Sequence, residues 1–312
     1  MKYTVVLTAE YPAIAREILS PHFDLIEHPT EQARSEEEMI TILSEADAAL
    51  TLLSDPLTRR VLASNPNLRM VANYAVGYNN VDVEAARELG VRITNTPGVL
   101  TEATADLTMA LILAVTRRII EGDAEVRATG RCEWEPMKLH GMSLTGKRLG
   151  IVGMGRIGTA VAERARAFGM DVIGTRRGES RGESRISTDE LLATSDVVSV
   201  HAPLTRETEH MFDAATLAKM KRGAYFVNTS RGKLMDEAAL CDALESGALR
   251  GAALDVYEHE PDVSPRLRAL HNVVIVPHIG SATDEARNGM ARIAATDILL
   301  FLTGRAPLHV IA

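Results

Sequence analysis

Short runs of β-branched and aliphatic residues alternate with amphipathic stretches along almost the whole chain. That rhythm predicts βαβ units and parallel sheets. In the first hundred residues the strand-like runs are Thr4–Thr8, Phe23–Glu27, Ala48–Leu53, Met70–Tyr74 and Val91–Asn95. Helical stretches lie between them. Pro12 suits a first helical turn, Ser35 and Glu38 form a capping box, and Val83–Leu89 stops at Gly90. The block predicts one small parallel sheet.

Thr101 to Ile120 reads as one long helix, apolar on more than one face and therefore buried, a connector between domains. A second series starts at Lys147, with strands at Leu149–Val152, Asp171–Thr175, Val197–His201, Tyr225–Thr229, Gly251–Val256 and Val273–Val276. Ser187 and Glu190 make another capping box. Asp284 to Leu302 predicts a last helix, ending at Gly304 and expected to pack back on the first domain. A local repeat, Gly178–Arg181 followed by Gly182–Arg185, is polar and reads as a surface loop.

A length of 312 residues suits two domains, and the 4 % aromatic content makes the cores aliphatic. A net charge of −8 argues against a nucleic-acid partner. Cys132 and Cys241 stand in no metal-ligand spacing, and the histidines show none either. Both cysteines read as free thiols of a reducing compartment, and no metal is expected. The N-terminus has no basic, apolar, small-residue sequence of a secretory signal, and the apolar run Met109–Val115 is too short to span a bilayer. The expectation is a cytoplasmic protein with no membrane partner.

Directly after a strand comes Gly153-Met-Gly155-Arg156-Ile157-Gly158, followed by an amphipathic helix. Gly153 allows the tight turn, Gly155 the approach of a pyrophosphate, and Gly158 close packing of helix on strand. The helix start offers N–H groups to phosphate. A glycine turn without ligand would not need this strand–turn–helix setting. The next strand ends in Gly174-Thr175-Arg176-Arg177-Gly178, with no carboxylate until Glu179. An acidic residue there would bind the ribose 2′-OH of NAD(H), whereas Arg176 and Arg177 suit a 2′-phosphate. NADP(H) is therefore favoured, with NAD(H) the alternative.

Asn228–Gly232, Asp255–Pro261 and Pro277–Thr283 concentrate reactive residue types, each after a strand. They should emerge on the carboxyl edge of a parallel sheet, where such sheets bind ligands. An arginine, a carboxylate and a histidine suffice for keto-acid reduction. The arginine binds the anionic substrate, the histidine gives a proton as hydride arrives, and the carboxylate favours the imidazolium. Singly, each is as readily a surface or structural residue.

With these segments, Asn73–Asp82 and Asn95–Asp106, nearly the whole chain resembles the D-isomer-specific 2-hydroxyacid dehydrogenases, close to glyoxylate and hydroxypyruvate reductases. The resemblance implies an α/β fold of two Rossmann-like parallel-sheet domains with a cleft between. One is a flavodoxin-like substrate domain, 1–99 with 285–312, and the other a dinucleotide-binding domain, 100–284. It implies that Arg231 binds the substrate's carboxylate and carbonyl, that His278 is the general acid, and that Glu260 pairs with His278. Glu258 is the rival carboxylate. The amides of Val76 and Gly77 would hold the substrate carboxylate. Thr104, Pro203, Thr229, Asp255 and Gly280 would line the nicotinamide end. A homodimer through the dinucleotide domain is implied as well.

The expected activity is NADPH-dependent reduction of a small 2-keto acid, glyoxylate or hydroxypyruvate, to glycolate or D-glycerate. Two alternatives stand beside it: an NAD-linked dehydrogenase of the same fold for another 2-hydroxy acid or phosphite, and a dinucleotide-sensing corepressor. Leu53, Ser54, Tyr74 and Trp134 are candidates for shaping the pocket, Trp134 equally for packing.

Overall fold

The computed structural model describes residues 2–29, 33–175 and 186–312. The chain divides into two compact units, Met1–Leu100 with Ala282–Ala312, and Thr101–Ser281.

The first unit is built on β1 (Thr4–Leu7), β2 (Asp24–Glu27), β3 (Ala48–Thr51), β4 (Met70–Asn73) and β5 (Arg92–Thr94), in the spatial order β2-β1-β3-β4-β5. All pairs are parallel. Every residue of β3 and β4 is buried, as both faces of a sheet are when helices cover them. Ser35 and Glu38 form the reciprocal capping box that starts helix Glu36–Ile42. Helix Val83–Leu89 closes on Gly90 at φ 72°, a left-handed cap that glycine takes without strain. The C-terminal helix, Asp284–Leu302, packs on helix Ala13–Leu19 and on β3 and β4. The tail beyond it then pairs antiparallel with β5 at Val310 and Thr94.

The second unit carries β6 (Arg148–Val152), β7 (Asp171–Thr175), β8 (Val197–Val200), β9 (Ala224–Asn228), β10 (Leu249–Leu254) and β11 (Val273–Ile275). Their order is β11-β10-β9-β8-β6-β7, again all parallel. The order reverses at β6, whose neighbours are β7 and β8, and a crevice at the strand ends opens at such a switch. Helices Thr101–Arg117 and Arg156–Ala167 pack together on one side, around Ile112, Ile151 and Val161. On the other side Phe212 and Phe226 meet edge to face, ring centres 5.0 Å apart.

The single helix expected from Thr101 to Ile120 is broken. It ends at Arg117, Arg118 turns left-handed at φ 55°, and a second helix runs from Ile119 to Thr129 with none of its residues buried. The cause is local competition for one carbonyl. The Thr116 oxygen accepts from Met142 N–H at 2.8 Å where the ladder stops. Trp134 is 85 % exposed, which excludes a packing role within its own unit.

Candidate active site

The glycine turn leaves β6 and enters helix Arg156–Ala167. Gly153 sits at φ 107°, and a Cβ there would stand 2.6 Å from the His201 carbonyl carbon. A Cβ on Gly158 would stand 2.3 Å from the Gly153 oxygen. Around Gly155, by contrast, nothing lies within 4 Å of where a Cβ would be. The N–H groups of Arg156, Ile157 and Gly158 donate to no group among the described residues. Bare N–H groups, a helix start and an unobstructed Gly155 are what a diphosphate requires. Arg176 and Arg177 lie outside the described residues.

Arg231, Glu260 and His278 come from the loops after β9, β10 and β11, at one edge of one sheet. His278 Nδ1 lies 2.9 Å from Glu260 Oε2. The other carboxylate oxygen, Oε1, accepts Tyr257 N–H at 2.9 Å. Burial raises the Glu260 carboxyl, but the bond and charge of His278, the Tyr257 N–H and the Arg231 charge outweigh it, leaving Glu260 below its ordinary range. The carboxylate therefore remains ionised and compensates an imidazolium. Since Nδ1 is engaged, Nε2 is the ring atom left for a ligand. Burial lowers the pKa of Arg231, and Glu260 acts in the opposite sense. An arginine stays cationic all the same.

Glu258 has different work. It takes His210 Nε2 at 2.8 Å and Glu237 N–H at 3.0 Å, while Glu237 takes Glu258 N–H at 3.2 Å in return. This reciprocal pair fastens the loop that carries Glu260.

The Arg231 turn is set by its neighbours. Asn228 is fully buried, donates from Nδ2 to the Arg231 carbonyl at 2.9 Å and accepts Ser230 N–H at 3.0 Å. At Gly232 the backbone passes so close to Tyr257 that a Cβ would fall 1.8 Å from the Tyr257 oxygen. Glycine there lets the arginine loop and the glutamate loop touch. Reading the sequence assigns neither residue a role. The Asn-x-Ser spacing of an Asx-turn was the available signal for Asn228. Gly232 has none, because the loop it meets is distant in sequence.

Asp255 is a clamp under the histidine loop. Its two oxygens accept Ile279 N–H at 2.6 Å and Gly280 N–H at 2.8 Å. Burial raises its pKa, opposed by these bonds and by His278. Thr104 donates to the Gly280 carbonyl at 3.1 Å, and Thr108 meets Thr229 at 2.9 Å. Pro203 is exposed, its carbonyl accepting Thr208 Oγ1 at 2.7 Å. His201, beside it, bonds Ser199 at 2.9 Å, and burial pushes its imidazole down to about 4. Val76 and Gly77 belong to the first unit, in the loop after β4.

Residues 109–280 match the family model described as D-isomer specific 2-hydroxyacid dehydrogenase, NAD binding domain. A glyoxylate reductase of Thermococcus litoralis is 43 % identical, the match covering 98 % of this chain and 96 % of that protein. A crystal structure of a Thermus thermophilus protein is 43 % identical with a TM-score of 0.94, covering 99 % of this chain and 100 % of that one. An NADPH-dependent glyoxylate/hydroxypyruvate reductase of Sinorhizobium meliloti, solved with NADP and malonate, is 28 % identical with a TM-score of 0.88, over 100 % of this chain and 97 % of that one.

Proposed function

This chain belongs to the D-isomer specific 2-hydroxyacid dehydrogenase family, and from that premise we propose that it reduces glyoxylate and hydroxypyruvate with NADPH. The carrying observation is the 2.9 Å contact of His278 Nδ1 with Glu260 beside the Arg231 turn. In this reading the second unit binds the dinucleotide and the first supplies the substrate-carboxylate loop.

A bound nicotinamide dinucleotide supplies the hydride. The amides of Arg156, Ile157 and Gly158, with Gly153 and Gly155, would cradle its diphosphate. Thr104, Pro203, Thr229, Asp255 and Gly280 would line its nicotinamide end. Arg231 holds the keto acid and polarises its carbonyl. As negative charge grows on that oxygen, His278 gives up the proton on Nε2, and Glu260 stabilises the imidazolium until it does. The amides of Val76 and Gly77 take the carboxylate.

Preference for NADPH rests on Arg176 and Arg177 in the sequence, and the Sinorhizobium meliloti reductase, described as NADPH-dependent, is consistent with it. Initial rates with NADPH and NADH against glyoxylate, hydroxypyruvate, pyruvate and phosphite with the oxidised cofactors test the whole reading. The highest kcat/KM is expected for NADPH with glyoxylate or hydroxypyruvate. Phosphite oxidation alone, or no turnover of any keto acid, would overturn it. Arg176→Asp should raise KM for NADPH about tenfold or more, the loss of a charge-assisted contact, with little change for NADH. An unmoved NADPH-to-NADH ratio would remove the arginine from the cofactor site.

A further inference from the structure

The loop that follows β4 presents three successive peptide groups, and each has its carbonyl taken from the protein side. The Ala75 oxygen accepts Thr96 N–H at 2.9 Å. The Val76 oxygen accepts Asn95 Nδ2 at 2.8 Å, and the Gly77 oxygen accepts Asn73 Nδ2 at 3.0 Å. In a trans peptide the N–H points opposite to the carbonyl. Tying these carbonyls inward therefore aims the N–H groups of Val76, Gly77 and Tyr78 the other way. None of the three donates to any group among the described residues. Successive N–H groups aimed at one side form a nest for an anion.

We infer that Asn73 and Asn95 are positioning residues, two side-chain amides that turn the loop's peptides so that Val76, Gly77 and Tyr78 together receive the substrate carboxylate. This rests on the proposed keto-acid reading of the loop and adds to it a third amide and the groups that aim all three.

Both amides are themselves held. Asn73 is fully buried, and its Oδ1 accepts Asn80 Nδ2 at 3.1 Å. That contact leaves Nδ2 of Asn73 to face Gly77. Asn95 is fixed through its backbone, whose N–H donates to the His309 oxygen at 3.2 Å. His309 is anchored in turn by Asp297, a fully buried carboxylate that accepts Leu308 N–H at 2.7 Å and His309 Nδ1 at 2.9 Å. The C-terminal tail thus braces the residue that braces the loop.

The test uses the full chain, measuring glyoxylate reduction kinetics with NADPH and, by calorimetry on the NADP+ complex, the affinity for oxalate, an unreactive carboxylate. Asn95→Ala should raise the glyoxylate KM and the oxalate Kd about three- to tenfold, the loss of one neutral hydrogen bond. Its kcat and its KM for NADPH should stay within about twofold. Asn95→Asp should be worse, because it faces the Val76 carbonyl with a carboxylate. Asn73→Asp keeps the acceptor for Asn80, loses the donor to Gly77 and should act in the same direction. If the wild type turns over glyoxylate and binds oxalate but Asn95→Ala, folded, changes neither constant, the positioning role is wrong. Equal losses in kcat and NADPH binding would also overturn it, by showing a merely structural effect. A wild type that neither turns over keto acids nor binds oxalate would sink the functional reading, and the clamp with it.

Discussion

His278 occupies a left-handed backbone position, φ 51°, which a residue with a Cβ takes only when its surroundings impose it. Here the imposing groups are Asp255 beneath the next two amides and Thr104 on the Gly280 carbonyl. The ring is aimed by the backbone as much as by Glu260. His278→Ala should lower kcat about a hundred- to ten-thousandfold in keto-acid reduction, with a smaller change in KM, as measured by steady-state kinetics. Glu260→Gln keeps the size and removes the charge, so the alkaline limb of the reduction profile should move to lower pH. An unmoved profile would leave Glu260 without influence on the proton. His201 gives a prediction about stability. Burial holds it near 4 against 6.5 when unfolded, so the unfolded chain binds a proton that the folded chain refuses. Stability is therefore lost as pH falls from 6.5 toward 4, and His201→Asn should flatten that part of a denaturation-midpoint curve.

At the scale of elements, the loops that touch are as constrained as the strands that carry them. Gly232→Ala places a carbon 1.8 Å from the Tyr257 oxygen, so one of the two loops must shift. It should cost about 1–3 kcal/mol in chemical denaturation and reduce turnover about a hundredfold or more, because the displaced loops hold Arg231 and Glu260. The strands themselves were plain in the hydrophobic pattern, but their predicted carboxyl ends overran. Leu52 and Leu53, Tyr74, Asn95, His201 and Thr229 look β-like in sequence, yet β3, β4, β5, β8 and β9 stop before them. Tyr74 and His201 still donate to the neighbouring strands, at the Thr51 and Val152 oxygens, but Leu52 N–H has turned to Asp55 Oδ2 and Asn95 N–H to the His309 oxygen. Periodicity sees the side-chain pattern and not the partner of each carbonyl. The break at Arg118 escaped for the same reason, since the group that diverts the Thr116 oxygen is Met142. The glycine turn, the arginine, the glutamate and the histidine were legible as motifs. The amides that aim the substrate loop were not, because Asn73 and Asn95 meet it only through the fold.

At the scale of the whole molecule, each unit repeats the same economy, a parallel sheet with its polar groups gathered where strands end. No helix among the described residues is long and apolar enough to cross a membrane. The second unit nevertheless exposes Ile119 and Ile120, each at 51 %, with Trp134 and Met137 nearby in sequence and more exposed still. Large apolar side chains left bare suit burial against a second copy of the chain. For the homodimer that the resemblance implies, Ile120→Glu should give a monomer in light scattering, and a wild type that runs as a monomer would refute that assembly. Among the described residues, the N–H groups at Arg156–Gly158 and at Val76–Tyr78 stand bare. Both sets have N–H groups left to donate to an oxyanion from solution. Sulfate or phosphate buffer should therefore slow this protein relative to a zwitterionic buffer at equal ionic strength, by competing at the proposed diphosphate and carboxylate positions.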